Sequence, residues 1–336
     1  MRMPLRAARH RTPMTGEEPV EHTGVNIDNF VRAENDRMFT GVAAQAGGVN
    51  RVHHIRVPTP LDQQTVIRMN RDTLYSFAVV DLHGGATLTV PPSGDRYVSV
   101  MIVNQDHYIN RIFHEAGDYD LTADEFDSRY VLVAARVFMD PAKPDDVKAA
   151  NQVQDGFAIR ASSAEPFEPP AYDEKSFAAV RAAILDLTRF SSDYDGAFGS
   201  KDEVDPLRHL LGTAGGWGGL PSAEAKYINV TPGLPVGEYR ITVKDVPVDA
   251  FWSISLYNAD GFFEHNDRNA NSINNITGTP NPDGSITVHL GGCGDDRPNC
   301  LPIMDGWNYI VRLYRPRPEA IDSTWTFPPA EAVAPA

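Results

Sequence analysis

Asn70-Arg71-Asp72-Thr73-Leu74-Tyr75-Ser76-Phe77-Ala78-Val79-Val80-Asp81-Leu82 decides the fold class. Leu74, Ser76, Ala78, Val80 and Leu82 alternate with Tyr75, Phe77, Val79 and Asp81. Successive strand side chains point to opposite faces, so this period of two predicts a strand filled on both sides. Further strands read at about 86–90, 95–104 and 129–138, separated by Gly84-Gly85 and Pro91-Pro92-Ser93-Gly94. Short strands punctuated by turn residues predict a sandwich or barrel.

Upstream the period changes. Ile27, Phe30, Val31, Met38, Phe39 and Val42 recur three and four apart within 26–46, with Arg32, Glu34, Asp36 and Arg37 between them, which fits one amphipathic helix. Downstream, Pro141, Pro144, Pro166, Pro169 and Pro170 precede a helical pattern from Lys175 to Thr188, read as an interdomain connection. Beyond it, Tyr239, Ile241 and Val243, then Ile286, Val288 and Leu290, then Trp307, Tyr309, Val311 and Leu313 alternate as strands again. Asn281-Pro282-Asp283-Gly284 is a turn in which proline presets one dihedral and glycine accepts a positive one. The expected organisation is a flexible tail (1–20), an N-terminal β domain with a leading helix (21–140), a connector with a helix (141–205) and a C-terminal β domain (206–330).

A chain of 336 residues with 42% hydrophobic and 22% charged residues can build a substantial core. Its formal net charge of -15 disfavours nucleic acid and repels anionic membranes. Met1 to Pro19 holds four arginines but no apolar run long enough for a signal peptide or a spanning helix, so a cytoplasmic protein without membrane attachment is expected. Cys293 and Cys300 flank a turn-rich loop that could join them, but two cysteines do not make a secreted framework, and reduced thiols are expected. Two sulfurs alone cannot build a structural zinc site.

With these segments in view, the chain resembles a mainly bacterial family built from two adjacent domains of unknown function, numbered 1254 and 1214. The first domain's pattern looks like Asn70-Arg71-Asp72-Thr73-Leu74-Tyr75, then Asp81-Leu82, Pro91, Arg96-Tyr97, Asp106, Tyr108 and Asn110. The second resembles Gly218-Gly219-Leu220-Pro221 with Ala225 and Tyr227, Phe251-Trp252-Ser253 with Leu256-Tyr257, Asp283-Gly284-Ser285, Leu301-Pro302, and Arg312-Leu313-Tyr314-Arg315-Pro316. The resemblance implies a mainly β protein, two jelly-roll-like antiparallel β-sandwich domains with a few flanking helices, and leaves the activity open.

Candidate chemistry gathers on polar residues inside these segments. Arg71 would supply a bidentate fork for a carboxylate or phosphate, and Asp72 a base or a metal ligand, with Asn70 and Tyr75 beside them at a pocket rim. The structural alternative has these residues capping turns and pairing across the domain seam. Asp106, Tyr108 and Asn110 follow a strand end, where a carboxylate and a phenol could transfer protons; His107 between them reads as an exposed loop histidine. Tyr257 and Trp217 could line an apolar pocket with His265 and Asn266 at its mouth, whereas Trp252 reads as core. His53 and His54 occupy adjacent positions facing opposite ways, and neither a His-Glu-x-x-His helix nor a His-x-His opening is present, so no metal and no cofactor is expected. No Gly-x-Ser-x-Gly elbow, phosphate loop or dinucleotide fingerprint occurs, and Gly215-Gly216-Trp217-Gly218-Gly219 reads as a close backbone crossing at the seam.

The expected protein is an enzyme on a small organic molecule, hydrolase or lyase-like, with catalytic Asp72, Asp106 and Tyr108 and substrate-binding Asn70, Arg71, Tyr75, Asn110, Tyr257 and Asn266. A non-catalytic ligand-binding or assembly protein and a metal-dependent oxygenase are the alternatives. Open sheet edges make a homo-oligomer the expected assembly.

Overall fold

The structure, a computed structural model, describes residues 22–64, 67–191, 193–294 and 297–333. The tail expected at 1–20 lies outside the described residues. In chain order the first half comprises α1 (Phe30–Ala46), β1 (His53–His54), β2 (Thr73–Asp81), β3 (Ala86–Val90), β4 (Val98–Asn104), β5 (Ile109–Phe113), β6 (Gly117–Leu121), α2 (Ala123–Phe126), β7 (Tyr130–Phe138), α3 (Pro144–Asp155) and β8 (Ala158–Ala161). Then come α4 (Glu174–Thr188), α5 (Pro206–Gly215), β9 (Ala225–Val230), β10 (Tyr239–Val243), β11 (Trp252–Tyr257), β12 (Ser272–Asn274), β13 (Ile286–Leu290), β14 (Cys300–Leu301), β15 (Asn308–Tyr314), α6 (Pro318–Ile321) and β16 (Glu331–Ala332). The protein is mainly β, and its sheets are antiparallel apart from the short β13–β14 pair.

Each half stacks two sheets. In the first, β1-β2-β7-β4-β5 packs on β6-β3-β8 through Leu74, Ala78, Val80, Val100, Ile102, Val133 and Val137 against Leu88, Val90 and Leu121. In the second, β12-β11-β15-β9 packs on β14-β13-β10-β16 through Trp252, Ile254, Leu256, Val311 and Leu313 against Ile241, Val288 and Leu290. Strand β8 pairs with β3, so the first sandwich takes in a strand from beyond residue 140, inside the stretch read as connector.

The second face of the β2 sheet is covered by two neighbours. At its Asn104 end lies α1, tied by the Asn35 side-chain amide donating to the Asn104 carbonyl at 2.6 Å. At its Tyr97 end lies the β11 sheet of the second half, with Tyr97 against Phe251 and Tyr314 at 5.3 and 5.5 Å between ring centroids. Val79, Met101, Leu132, Phe138, Phe251, Tyr314, Phe39 and Val42 form one continuous apolar cluster across that face. Two sheets therefore meet face to face, because both faces of β2 are apolar and both must be covered.

Helix α1 departs from the simple amphipathic expectation. Glu34, Asn35 and Asp36 are buried together with Phe30, Ala33, Phe39 and Val42, because α4 and α5 cover the side away from the sheet. Arg37 and Arg181 reach Glu34 at 2.7 and 3.3 Å and supply the charge its burial requires. The helix ends at Gly47, whose φ of 75° closes the last turn.

Cys293 and Cys300 form a disulfide, which corrects the expectation of reduced thiols. Cys300 opens β14, and its Cα lies 5.6 Å from that of Cys293, within bonding reach. Closing so short a loop contributes roughly 2–3 kcal/mol on the chain-entropy account. Cys293→Ser is expected to lower the unfolding free energy by about 2 kcal/mol in urea denaturation, and thiol titration of unreduced wild type should find no free thiol.

Candidate functional site

Register assembles a polar row at the seam between the halves. Tyr75 on β2 sits opposite Arg136 on β7, and Arg136 opposite Ser99 on β4, so all three project from one face of the sheet. Across the gap, Arg312 on β15 sits between Tyr227 on β9 and Ser253 on β11. Asn70 and Asp72 enter between the rows from the segment leading into β2.

The contacts are dense. Asp72 is fully buried; its Oδ2 accepts from the Ser253 hydroxyl at 2.6 Å and from the Tyr314 hydroxyl at 3.3 Å. The Asn70 amide nitrogen lies 3.1 Å from both the Tyr75 and the Tyr314 hydroxyls, while its oxygen accepts the Asp72 N–H at 2.8 Å. Arg312 donates to Ser255 at 2.7 Å, and to the Arg68 carbonyl and the Tyr257 hydroxyl at 2.9 Å each. The Tyr257 hydroxyl in turn donates a hydrogen bond to the Met69 carbonyl at 2.8 Å.

Arg136 is different. Its Nη2 donates to the Gly218 carbonyl at 2.7 Å and its guanidinium stands 5.5 Å from the centroid of the Tyr75 ring, but Nη1 has no partner. Among the described residues no carboxylate lies within 4.0 Å of Arg136, although its exposure is only 7%. Asp72 Oδ1, the Tyr97 hydroxyl and the Ser99 hydroxyl are likewise buried without partners. A buried cation left unpaired is costly, and buried polar atoms are ordinarily satisfied. Asn70, Tyr75 and Tyr227 keep partial exposure and form the edge through which the cluster meets solvent.

Electrostatics separates two proton-bearing groups. Burial holds the Asp72 carboxyl above the usual carboxylate range, against the opposing pull of Arg312, Ser253 and Tyr314. Burial also pushes the Tyr75 phenol up, but Arg136 and the hydrogen bond from Asn70 outweigh it and leave it below its ordinary value. A carboxyl tuned up beside a phenol tuned down is the pattern of an acid and base pair.

Behind Arg136 stands His107, which is buried and not the exposed loop residue expected. Thr213 donates its hydroxyl hydrogen to the His209 carbonyl, so His107 Nδ1 must carry the proton given to Thr213 Oγ1 at 2.8 Å. His107 Nε2 then accepts the Gly218 N–H at 3.0 Å, and burial holds the ring well below its ordinary pKa. Gly218 has a φ of 72° and presents its N–H to His107 and its carbonyl to Arg136. The glycine stretch is close-packed against aromatic rings rather than crossing another backbone: a side chain at Gly219 would enter the Phe198 ring.

Of the residues singled out from the sequence, Asn70, Asp72, Tyr75 and Tyr257 join this cluster. Asp106, Tyr108 and Asn110 do not. They follow the far end of β4, which is six residue steps, roughly 20 Å, from Val98 at the seam. Asp106 there accepts from Arg32 at 2.6 Å, Tyr108 stacks on His209 at 4.7 Å, and exposed Asn110 reaches the Glu125 carbonyl at 3.3 Å. One shared site for Asp72, Asp106 and Tyr108 is therefore not what the sheet builds. Arg71 donates to the Thr59 carbonyl at 2.8 Å and lies over Phe263, and Asn266 closes its own loop onto Ala270 at 3.1 Å. Trp252 is core, as expected, and Trp217 donates to Asn35 at 2.7 Å.

The family pattern includes Tyr97, Ser253 and Arg312, but the sequence assigned no site role to them, and Arg136 stood outside the pattern altogether. A signal existed: each arginine interrupts an otherwise fully buried strand, Tyr130–Phe138 and Asn308–Tyr314, where a charge demands a partner. Among the described residues no three His, Cys, Asp or Glu side chains converge as a metal site, and no helix is long and apolar enough to cross a membrane.

Two family models match the chain, a protein of unknown function (DUF1254) over residues 49–118 and a protein of unknown function (DUF1214) over 234–318. Together they support the two-domain family of unknown function that the sequence resembles. No curated protein matches significantly. Among solved structures, the VPA0106 protein from Vibrio parahaemolyticus is similar at a TM-score of 0.72 and 18% identity, over 92% of this chain and 98% of that one. A putative uncharacterized protein from Burkholderia cenocepacia matches at a TM-score of 0.47 and 13% identity, over 86% and 83%. The first likeness extends the described fold to a second protein.

Proposed function

We propose that the seam is the active site of a small-molecule enzyme, lyase-like or hydrolytic, in which Arg136 holds an anionic group of the substrate. The observation that carries this reading is Arg136 itself: a buried guanidinium with no carboxylate, a free Nη1, and unpartnered Tyr97, Ser99 and Asp72 atoms in its cluster. An anion seated there would receive charge-assisted hydrogen bonds from groups already held in place. Tyr75, with its lowered pKa, takes a proton from the substrate or from water, and Asp72, with its raised pKa, gives one to the departing oxygen. His107 acts through Gly218 as a positioning residue for Arg136.

Arg136→Met tests this. Removing an unpaired buried charge is expected to leave the unliganded protein within about 1 kcal/mol of wild type, or more stable. The same variant should lose the thermal upshift that small aliphatic dicarboxylates give the wild type. A loss of about 3 kcal/mol or more would instead make Arg136 a structural tie and favour the non-catalytic reading. That second reading draws support from Arg312, whose Nη1 and Nη2 both donate to groups of the protein itself.

The disulfide bears on location. Thiols stay reduced in the cytosol, so a Cys293–Cys300 bond supports an oxidising compartment over the cytoplasmic placement expected from the sequence.

A further inference from the structure

At the end of the β2 sheet remote from the seam, α1, the turn after β4, the start of β7 and the segment before α4 enclose a cleft of about 300 Å3. Arg32, Asp36, Gln105, Arg129, Phe167 and Tyr172 line it, with the exposed carboxylate of Glu168 at its rim. Asp36 is 3% exposed; its Oδ2 accepts from the Tyr172 hydroxyl at 2.8 Å, while Oδ1 has no partner.

The charges around Asp36 are half spent. Arg32 gives Nε and Nη2 to one oxygen of Asp106, at 2.8 and 2.6 Å. Arg129 gives Nε and Nη2 to Asp81 at 3.3 and 3.5 Å. Nη1 of each partly exposed guanidinium makes no protein hydrogen bond among the described residues, and Arg129 also lies over the Tyr130 ring at 5.1 Å. Phe167 supplies an apolar wall, held edge-on by Tyr130 at 5.1 Å and backed by Phe39 at 5.5 Å. An apolar wall with a few convergent polar groups is how small-ligand pockets are built.

We propose that this cleft is a second ligand site, distinct from the seam, that takes a small carboxylic acid with a flat apolar body. The carboxylate would lie between the two unused Nη1 groups, with the body on Phe167 and the unpartnered Asp36 oxygen facing the ligand. An anion is favoured over an organic ammonium for two reasons. Two guanidinium groups with unused N–H donors line the cleft against one exposed carboxylate, Glu168, and burial raises the Asp36 carboxyl toward its neutral form, in which Oδ1 becomes a donor. The site rests on none of the residues assigned to the seam.

Benzoate is the probe, followed by ligand-observed NMR on the full chain, with benzylamine as the cation of the same shape. Wild type should bind benzoate at roughly millimolar Kd and benzylamine far more weakly. Arg129→Ala and Phe167→Ala should each weaken benzoate about tenfold or more, Asp36→Asn should keep most of the affinity because its amide still donates, and Arg136→Met should leave it unchanged. If Arg129→Ala does not fold, Phe167→Ala, at a partly exposed position, decides alone. Absence of benzoate binding, preference for benzylamine, or binding that survives Phe167→Ala would overturn the proposal. Binding lost only in Arg136→Met would also overturn it, and would place the acid at the seam.

Discussion

Arg312→Ala is expected to lower the unfolding free energy by about 3–5 kcal/mol, among the largest effects of any single truncation in this chain. The Arg312 guanidinium holds Ser255, Tyr257 and the Arg68 carbonyl, and it is the cation nearest in effect to the buried Asp72 carboxyl. Burial alone would lower its pKa, but Tyr257, Tyr314 and Asp72 outweigh that and hold the proton firmly. Its removal takes a donor from the Ser255 and Tyr257 hydroxyls and from the Arg68 carbonyl in a place water cannot easily reach, and each group left unsatisfied costs about 1–3 kcal/mol. Urea denaturation checks this, with Arg312→Lys as control: the lysine keeps the charge but not the fork, and should recover only part of the loss. A change below about 1 kcal/mol would mean that the network tying the halves together contributes little. The contrast with Arg136→Met is the informative comparison, since two buried arginines on facing sheets are expected to behave oppositely.

His107→Gln is expected to cost about 2–4 kcal/mol at neutral pH and to flatten part of the acid limb of the stability profile. The ring stacks on Trp217 at 5.3 Å and bridges Thr213 and Gly218, so the shorter amide cannot fill the same space or meet both partners. Its folded pKa lies well below 6.5, through burial and then the neighbouring His209. Between those two values the unfolded chain binds a proton that the native protein refuses, so stability falls as pH falls below about 6.5. The slope from this one residue is about 1.4 kcal/mol per pH unit until the folded pKa is reached. His54 and His289, also lowered mainly by burial, add to the wild-type slope, so the difference between wild type and variant isolates His107. Equal acid slopes in the two proteins would show that His107 titrates normally.

How much of this was legible in the sequence follows from what periodicity can carry. The alternation from Leu74 to Leu82 identified β2 and required packing on both of its faces, which is the arrangement that builds the seam. Asn70, Asp72, Tyr75 and Tyr257 stood out because polar residues in or beside apolar strands need a reason to be there. Periodicity cannot fix register between distant strands, so nothing in the chain indicated that Arg136 would face Tyr75 and Ser99, or that Asp106 would end at the opposite end of the sheet. The run Glu34-Asn35-Asp36 read as part of the charged side of a helix because α4 and α5, which cover it, lie far along the chain. The disulfide could not be settled either, since short spacing makes such a bond possible without requiring it.

One face of the β2 sheet is roofed by a helix at one end and by the other sandwich at the opposite end, and this limits what can be separated. Cutting the polypeptide between its halves would bare Phe138, Tyr97 and Met101 on one fragment and Phe251 and Tyr314 on the other, with a lone guanidinium set into each wound. Neither fragment is a module that could be lent to another protein, and the two should be inherited as a unit.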